Sequence, residues 1–319
     1  MKLAAEGEKT LSYNICRCMK SLALFRLPLF FFSLLLPLSA YAEVRVLTSI
    51  KPLQLIAAAV QDGLATPDVL LPPWASPHAY ALRPSEVRKV AKADLFYWIG
   101  PNLENFLPRV LSNRNKTSVA VQQLAGLELR QFAADGSSNA DANHRPGMVD
   151  AHLWLLPANA RVIAGRMAAD LAALDPAHAP RYQANLAAFS KRLDALDKRL
   201  SGELSAAEGR PFFVFHRAFD YFEAAYGLKH AGVFSIALEV TPGARQVAAM
   251  RERLQQAGPG CVFYEPPMRP RLAETLIAGL PLRLEPLDAL GSTINVSPRG
   301  YETLMENLSR DLCNCLLRS

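Results

Sequence analysis

The strongest constraint on this chain is an alternation of short apolar runs with helical patterns, repeated in two blocks either side of a long helical stretch. "VRVLTSI", residues 44–50, is a β-branched apolar run ending at Lys51-Pro52, and "LQLIAAAVQDG" follows with helical spacing and a terminal glycine. "PDVLLPP" predicts a second strand, "PSEVRKVAKA" a helix capped by Ser85, and "DLFYWIG" a third strand. Residues 158–204 are helical apart from one break at "LDPAHAP", and Leu186, Phe189, Leu193, Leu196 and Leu200 recur at three- and four-residue steps. The alternation then restarts with "RPFFVFH", a helix through "AFDYFEAAYG", and strands at "GVFSIAL", "CVFYEPP" and "RLEPLDAL", closing in a helix from Pro298 to Leu316. Strands alternating with helices imply parallel sheets covered on both faces. The expected fold is α/β, two doubly wound lobes over residues 43–176 and 206–319, joined by a rigid helix over 177–205 and facing each other across a cleft. The halves share element order without a sequence repeat.

Residues 19–42, "MKSLALFRLPLFFFSLLLPLSAYA", have the order of a secretory signal: Lys20 and Arg26, an apolar run, then Ala40-Tyr41-Ala42. The uninterrupted run, Leu27 to Leu38, is too short for a membrane anchor and contains two prolines. Cleavage is therefore expected before Glu43, with Met19 an alternative start. No cysteine sits at the cut, which argues against a lipid anchor. Removing residues 1–42 leaves 30 Lys and Arg against 27 Asp and Glu, a surplus too small to call for nucleic acid. Export also leaves Cys261, Cys313 and Cys315 in an oxidising compartment, where one bridge from Cys261 to the C-terminal pair is expected, preferentially to Cys315.

Six histidines fall in the exported part: His78, His144, His152, His178, His216 and His230. His78, His152 and His216 each lie at or just past the end of an apolar segment, 74 and 64 residues apart. Zinc fingers use close pairs of ligands, so this spacing fits only a site assembled by the fold. Ligands on parallel sheets collect at the carboxyl ends of strands, where such histidines would meet. Imidazole is a common zinc ligand, and Asp288 in "LDALGS" is the candidate carboxylate to complete the site, with water as the other choice. Asp150 and Asp220 are placed to orient an imidazole through its second nitrogen. His144 lies in a short polar loop over 133–148, while His178 and His230 are expected at the surface near helix ends. Trp154, Phe219 and Tyr221 are expected to line the cleft, and Glu265 and Arg83 to make polar contacts near it.

The segments "SPHAYALRPSEVRKVAKADLFYWIGPNLENFL", "DAHLWLLPANA", "FVFHRAFDYFEAAYGL", "VTPGARQVAAMRERL" and "CVFYEPPMRPRLAETLIA" with "LDALGS" resemble, in order, the motifs of the solute-binding proteins of zinc ABC importers, the ZnuA type within metal-binding cluster A-I. The resemblance covers essentially the whole exported chain. It implies His78, His152 and His216 as zinc ligands and Asp288 as the C-terminal aspartate of the family. It also implies a periplasmic monomer, Zn2+ as the bound ion, and a membrane permease with its ATPase as partners. Manganese-selective relatives carry glutamate at the position of His216. Two departures stand out: Pro77 precedes the first histidine where some members have glutamate, and the loop before His152 is short, with His144 its only histidine. A secreted zinc metalloenzyme is the competing reading, since three histidines with an open position also describe catalytic zinc. None of the three sits in HExxH or has a glutamate one residue on, so a non-enzymatic carrier is preferred.

Overall fold

The computed structural model describes residues 43–132, 145–234, 243–267 and 271–318. The signal segment and His144 lie outside the described residues. In the first lobe the elements are β1 (Val46–Thr48), α1 (Lys51–Val60), β2 (Asp68–Val69), α2 (Pro84–Lys92), β3 (Leu95–Trp98), α3 (Pro108–Leu111) and β4 (Thr117–Ala120). Their strands are parallel in the order β2-β1-β3-β4, with Leu47 opposite Asp68 on one side and Phe96 on the other. β1 and β3 are buried throughout, which explains why they read as unbroken apolar runs.

The chain then forms α4 (Pro157–Leu174) and α5 (Ala179–Leu204), which pack along each other across the break at Asp175. The second lobe contains β5 (Phe212–Val214), α6 (Asp220–Ala225), β6 (Gly232–Val233), α7 (Ala244–Ala257), β7 (Gly260–Tyr264), α8 (Arg271–Ile277), β8 (Leu282–Pro286) and α9 (Gly300–Leu316). Its sheet is again parallel, in the order β6-β5-β7-β8. In each sheet the second strand in sequence pairs on one side of the first and the third on the other. That reversal opens a crevice at the carboxyl edge.

α5 links the lobes, with Phe189, Leu193, Leu196, Leu200 and Leu204 buried along one face. Leu186 is only half-buried, and the face is completed instead by Tyr182 and by Asn185, whose Nδ2 donates to the Val60 and Asp62 carbonyls at 2.9 Å each. α9 is a second connection. It packs on both α1 and α5: a Cβ on Gly300 would fall 2.6 Å from Leu55 Cδ2, and Glu302 pairs with Arg192. One apolar core therefore runs through both lobes, and a smaller one lies under α7 and α8 around Phe234, Leu254 and Val262.

Two local details differ from the sequence reading. β4 was not anticipated because "TSVA" is a short edge strand with Thr117 and Ser118 exposed, so it lacks an apolar alternation. Ser85 does not cap α2: the helix begins at Pro84, and Glu86 reaches back to accept the Arg83 backbone N–H at 2.7 Å. The expected disulfide is present between Cys261 on β7 and Cys315 on α9, with Cα atoms 6.2 Å apart, and Cys313 is a thiol.

Glu104 pins the carboxyl edge of the first sheet from inside. Its carboxyl accepts the Ser49 hydroxyl beyond β1 and the backbone N–H groups of Ile99 and Gly100 beyond β3, at 3.2 and 3.0 Å. Complete burial pushes its pKa up to about 7, against the pull of the Ser49 hydroxyl and the two N–H groups. A carboxyl that holds its proton more tightly folded than unfolded makes stability fall as pH rises between about 4.5 and 7. Glu104→Gln is expected to flatten that fall, by roughly 3 kcal/mol at its upper end. Denaturant unfolding at pH 5 and pH 7.5 checks this, and an unchanged slope would refute it. Replacing Cys261 and Cys315 together by alanine is expected to cost about 4 kcal/mol in the same measurement, because the bridge closes a long loop.

Candidate metal centre

Each of the three histidines reaches the crevice by a different local device. His78 follows β2, where the Leu70 and Leu71 N–H groups still bond to Thr48 and Ser49 carbonyls at 2.8 and 3.0 Å before Pro72-Pro73 turns the chain away. The Ser76 hydroxyl then accepts the His78 backbone N–H at 3.3 Å. His152 opens a short 3-10 turn over Leu153–Leu155, itself followed by α4. His216 lies just beyond β5, where the Phe215 N–H bonds to the Phe263 carbonyl at 2.9 Å.

These devices bring the rings together. Ring centroids are 5.4 Å apart for His78 and His152, 5.1 Å for His78 and His216, and 4.9 Å for His152 and His216. One nitrogen from each lies within 4.8 Å of the others. Three nitrogens on a tetrahedral zinc at ordinary bond lengths stand about 3.4 Å apart, so a small inward adjustment suffices. His152 is 2% exposed, whereas His78 and His216 are half-buried.

Carboxylates set the orientation of two rings. Asp150 Oδ1 accepts both the backbone N–H of His152, at 2.9 Å, and its Nδ1–H, at 2.7 Å. Glu265, just beyond β7, lies 2.9 Å from His216 Nδ1 through Oε2. With the proton held at Nδ1, the lone pair belongs to Nε2, the form a metal requires. Burial pushes the Asp150 carboxyl up to about 8, while the His152 N–H pulls it down.

Other expected site residues are placed differently. Asp288, just beyond β8, is not in the histidine group. Its Oδ1 accepts the N–H groups of Leu290 and Gly291, each at 2.9 Å, and its Oδ2 accepts the N–H and hydroxyl of Ser292, each at 2.7 Å. Asp220 pairs with Arg217 at 2.9 Å, and the carboxylate found beside His216 is Glu265. The sequence hint for Glu265 was its place one residue past a strand, the position shared in spirit by His216 and Asp288. His178 is partly exposed on Asp175, as a helix-end histidine should be. His230 is not at the surface: its side chain is 10% exposed, with Nδ1 2.8 Å from Glu223. Burial alone would lower its pKa, but the adjoining Glu223 and Asp220 carboxylates outweigh that and raise it. Trp154, Phe219 and Tyr221, expected to line the cleft, are buried, with the Trp154 ring 5.3 Å from that of His152, and Arg83 stacks over the Trp74 ring, 5.9 Å from its centre.

Two parallel α/β lobes with imidazoles gathered at their strand ends define a two-lobed binding protein. Comparison with known proteins sharpens this. Residues 46–315 match the family described as "Zinc-uptake complex component A periplasmic", and the chain belongs to that family, ZnuA. The protein named high-affinity zinc uptake system protein ZnuA from Yersinia pestis is 36% identical over 293 residues, covering 86% of this chain and 92% of the relative. Its namesake from Brucella abortus strain 2308 is 31% identical over 304 residues, covering 85% and 91%. A crystal structure of ZnuA superposes with a TM-score of 0.72 at 23% identity, covering 86% of this chain and 100% of the other. A laminin-binding adhesin, Lmb, from Streptococcus agalactiae shares the fold at a TM-score of 0.69 and 21% identity, covering 84% and 99%.

The hydrogen bonds separate orienting carboxylates from bystanders. Asp150→Asn and Glu265→Gln are each expected to weaken zinc binding about 10- to 100-fold, and Asp220→Asn to leave it within about twofold. Competition against a chromophoric chelator measures all three, and equal losses would refute the distinction.

Proposed function

We propose that this chain captures zinc in the periplasm and delivers it to the permease and ATPase of an ABC importer, acting as a monomer freed of its signal segment. The observation that carries the reading is the convergence of His78, His152 and His216, with carboxylates holding the Nδ1 atoms of two of them. Among the described residues the inner set is three imidazoles, which suit a borderline ion such as zinc better than a harder ion such as manganese. Membership of the zinc-uptake family and the names of the relatives support the same cargo. Asp288 already has an acceptor bond on each of its lone-pair directions, which favours water as the fourth ligand.

In this reading His78 and His152 come from the first lobe and His216 from the second, so bound zinc joins the lobes at the crevice. The cargo needs no bond made or broken by the protein. One oxygen of each neighbouring carboxylate, Asp150 Oδ1 and Glu265 Oε2, is engaged with an imidazole Nδ1, which suits an orienting role. Among the described residues no helix is long and apolar enough to cross a membrane.

Titration of the metal-stripped protein is expected to show one equivalent of tightly bound zinc. His78→Ala, His152→Ala and His216→Ala should each lower affinity by more than about hundredfold, beyond the usual cost of losing an orienting partner, while His178→Ala changes nothing. Affinity should fall with acid, because a protonated imidazole cannot ligate. Preference for manganese over zinc in competition would overturn the cargo, and equal losses across all four variants would overturn the ligand set.

A further inference from the structure

Asp288 is better equipped to hold the site together than to bind its metal. An ionised carboxylate offers about four lone-pair directions. The turn over 288–292 fills them with four donors: the N–H groups of Leu290, Gly291 and Ser292 and the Ser292 hydroxyl, between 2.7 and 2.9 Å. Gly291 has a φ of +63°, and a Cβ there would fall 2.9 Å from Ile294 Cδ1, so the turn is built tightly against its surroundings.

That turn fixes the direction of the Ala289 carbonyl, which accepts the Trp154 indole N–H at 2.9 Å with both residues buried. Trp154 lies two residues after His152. Its own carbonyl accepts the Tyr301 hydroxyl of α9 at 2.7 Å, and the Asp150 carbonyl, two residues before His152, accepts the Tyr221 hydroxyl of α6 at 3.1 Å. The segment that carries His152 is thus held at both ends by the second lobe, and Asp288 shapes one of the holding contacts.

We propose that Asp288 is a positioning residue: its carboxylate folds the turn that presents the Ala289 carbonyl to Trp154, and this contact sets the placement of the His152 segment. The inference rests on the reading of His152 as a zinc ligand. Removal of the carboxylate would release the carbonyl and leave the indole N–H buried without its acceptor, at a cost to metal affinity comparable to other supporting contacts.

The experiment compares zinc affinity, by chelator competition, in the full exported chain and in Asp288→Ala, Asp288→Asn, Trp154→Phe and the Asp288→Ala/Trp154→Phe double variant. Cobalt(II) absorption of each reports the ligand set. The expected result is a loss of about tenfold in Asp288→Ala and in Trp154→Phe, no further loss in the double variant, and recovery of most affinity in Asp288→Asn, whose amide oxygen still accepts two N–H groups. The cobalt d–d bands should match wild type throughout. Altered bands in either Asp288 variant, or losses that multiply in the double variant, would overturn the proposal. If Asp288→Ala fails to fold, Asp288→Asn and Trp154→Phe still decide it: the first by its cobalt bands and retained affinity, the second by a loss without a change of bands. Failure of the zinc-ligand reading has its own signature, equal zinc affinity in wild type and His152→Ala.

Discussion

The site depends on a buried contact between the lobes centred on Trp154, whose ring also lies 5.3 Å from that of His152. Trp154 is fully buried, its indole N–H given to one loop of the second lobe and its carbonyl to a tyrosine on α9. A buried indole N–H without an acceptor would cost about as much as many whole side-chain contacts. The lobes therefore meet in one register, and the imidazoles from both sides inherit it. Glu104 plays the corresponding part inside the first sheet by tying together the ends of β1 and β3 from which the crevice opens.

Much of this was legible in the sequence because periodicity and burial coincide. The central strands "VLT", "LFYW", "FFV" and "GCVFY" are buried on both faces and read as plain apolar runs. The three histidines shared a position relative to such runs, and a parallel sheet converts that shared position into proximity. Edge strand β4 escaped because its outer residues are polar, and Ser85 looked like a cap only because the backbone reach of Glu86 leaves no periodic mark.

The misplacements among acidic residues have one physical origin. Sequence distance suggested Asp220 for His216, since four residues on a helix bring side chains onto one face. His216 lies in the loop before α6, where helical spacing does not apply, and Arg217 draws Asp220 aside. Glu265, expected near the cleft, comes from just beyond the neighbouring strand, and its pairing with His216 is fixed by the pairing of β5 with β7. His230 departs from the expected surface position because Glu223 and Asp220 of the preceding helix α6 face its ring.

The packing of α9 on α1 has a consequence for how such a chain can be assembled. α1 is made from residues 51–60 and α9 from residues 300–316, so among the described residues the first helix is covered by the last. Leu55 has its neighbour at Gly300, and the bridge from Cys261 must wait for Cys315. The α1 face that α9 covers stays open while the second lobe is still being synthesised, and a contact of such long range slows folding. Two lobes in topology, the protein shares one core, in which α9, made late, covers α1, made early.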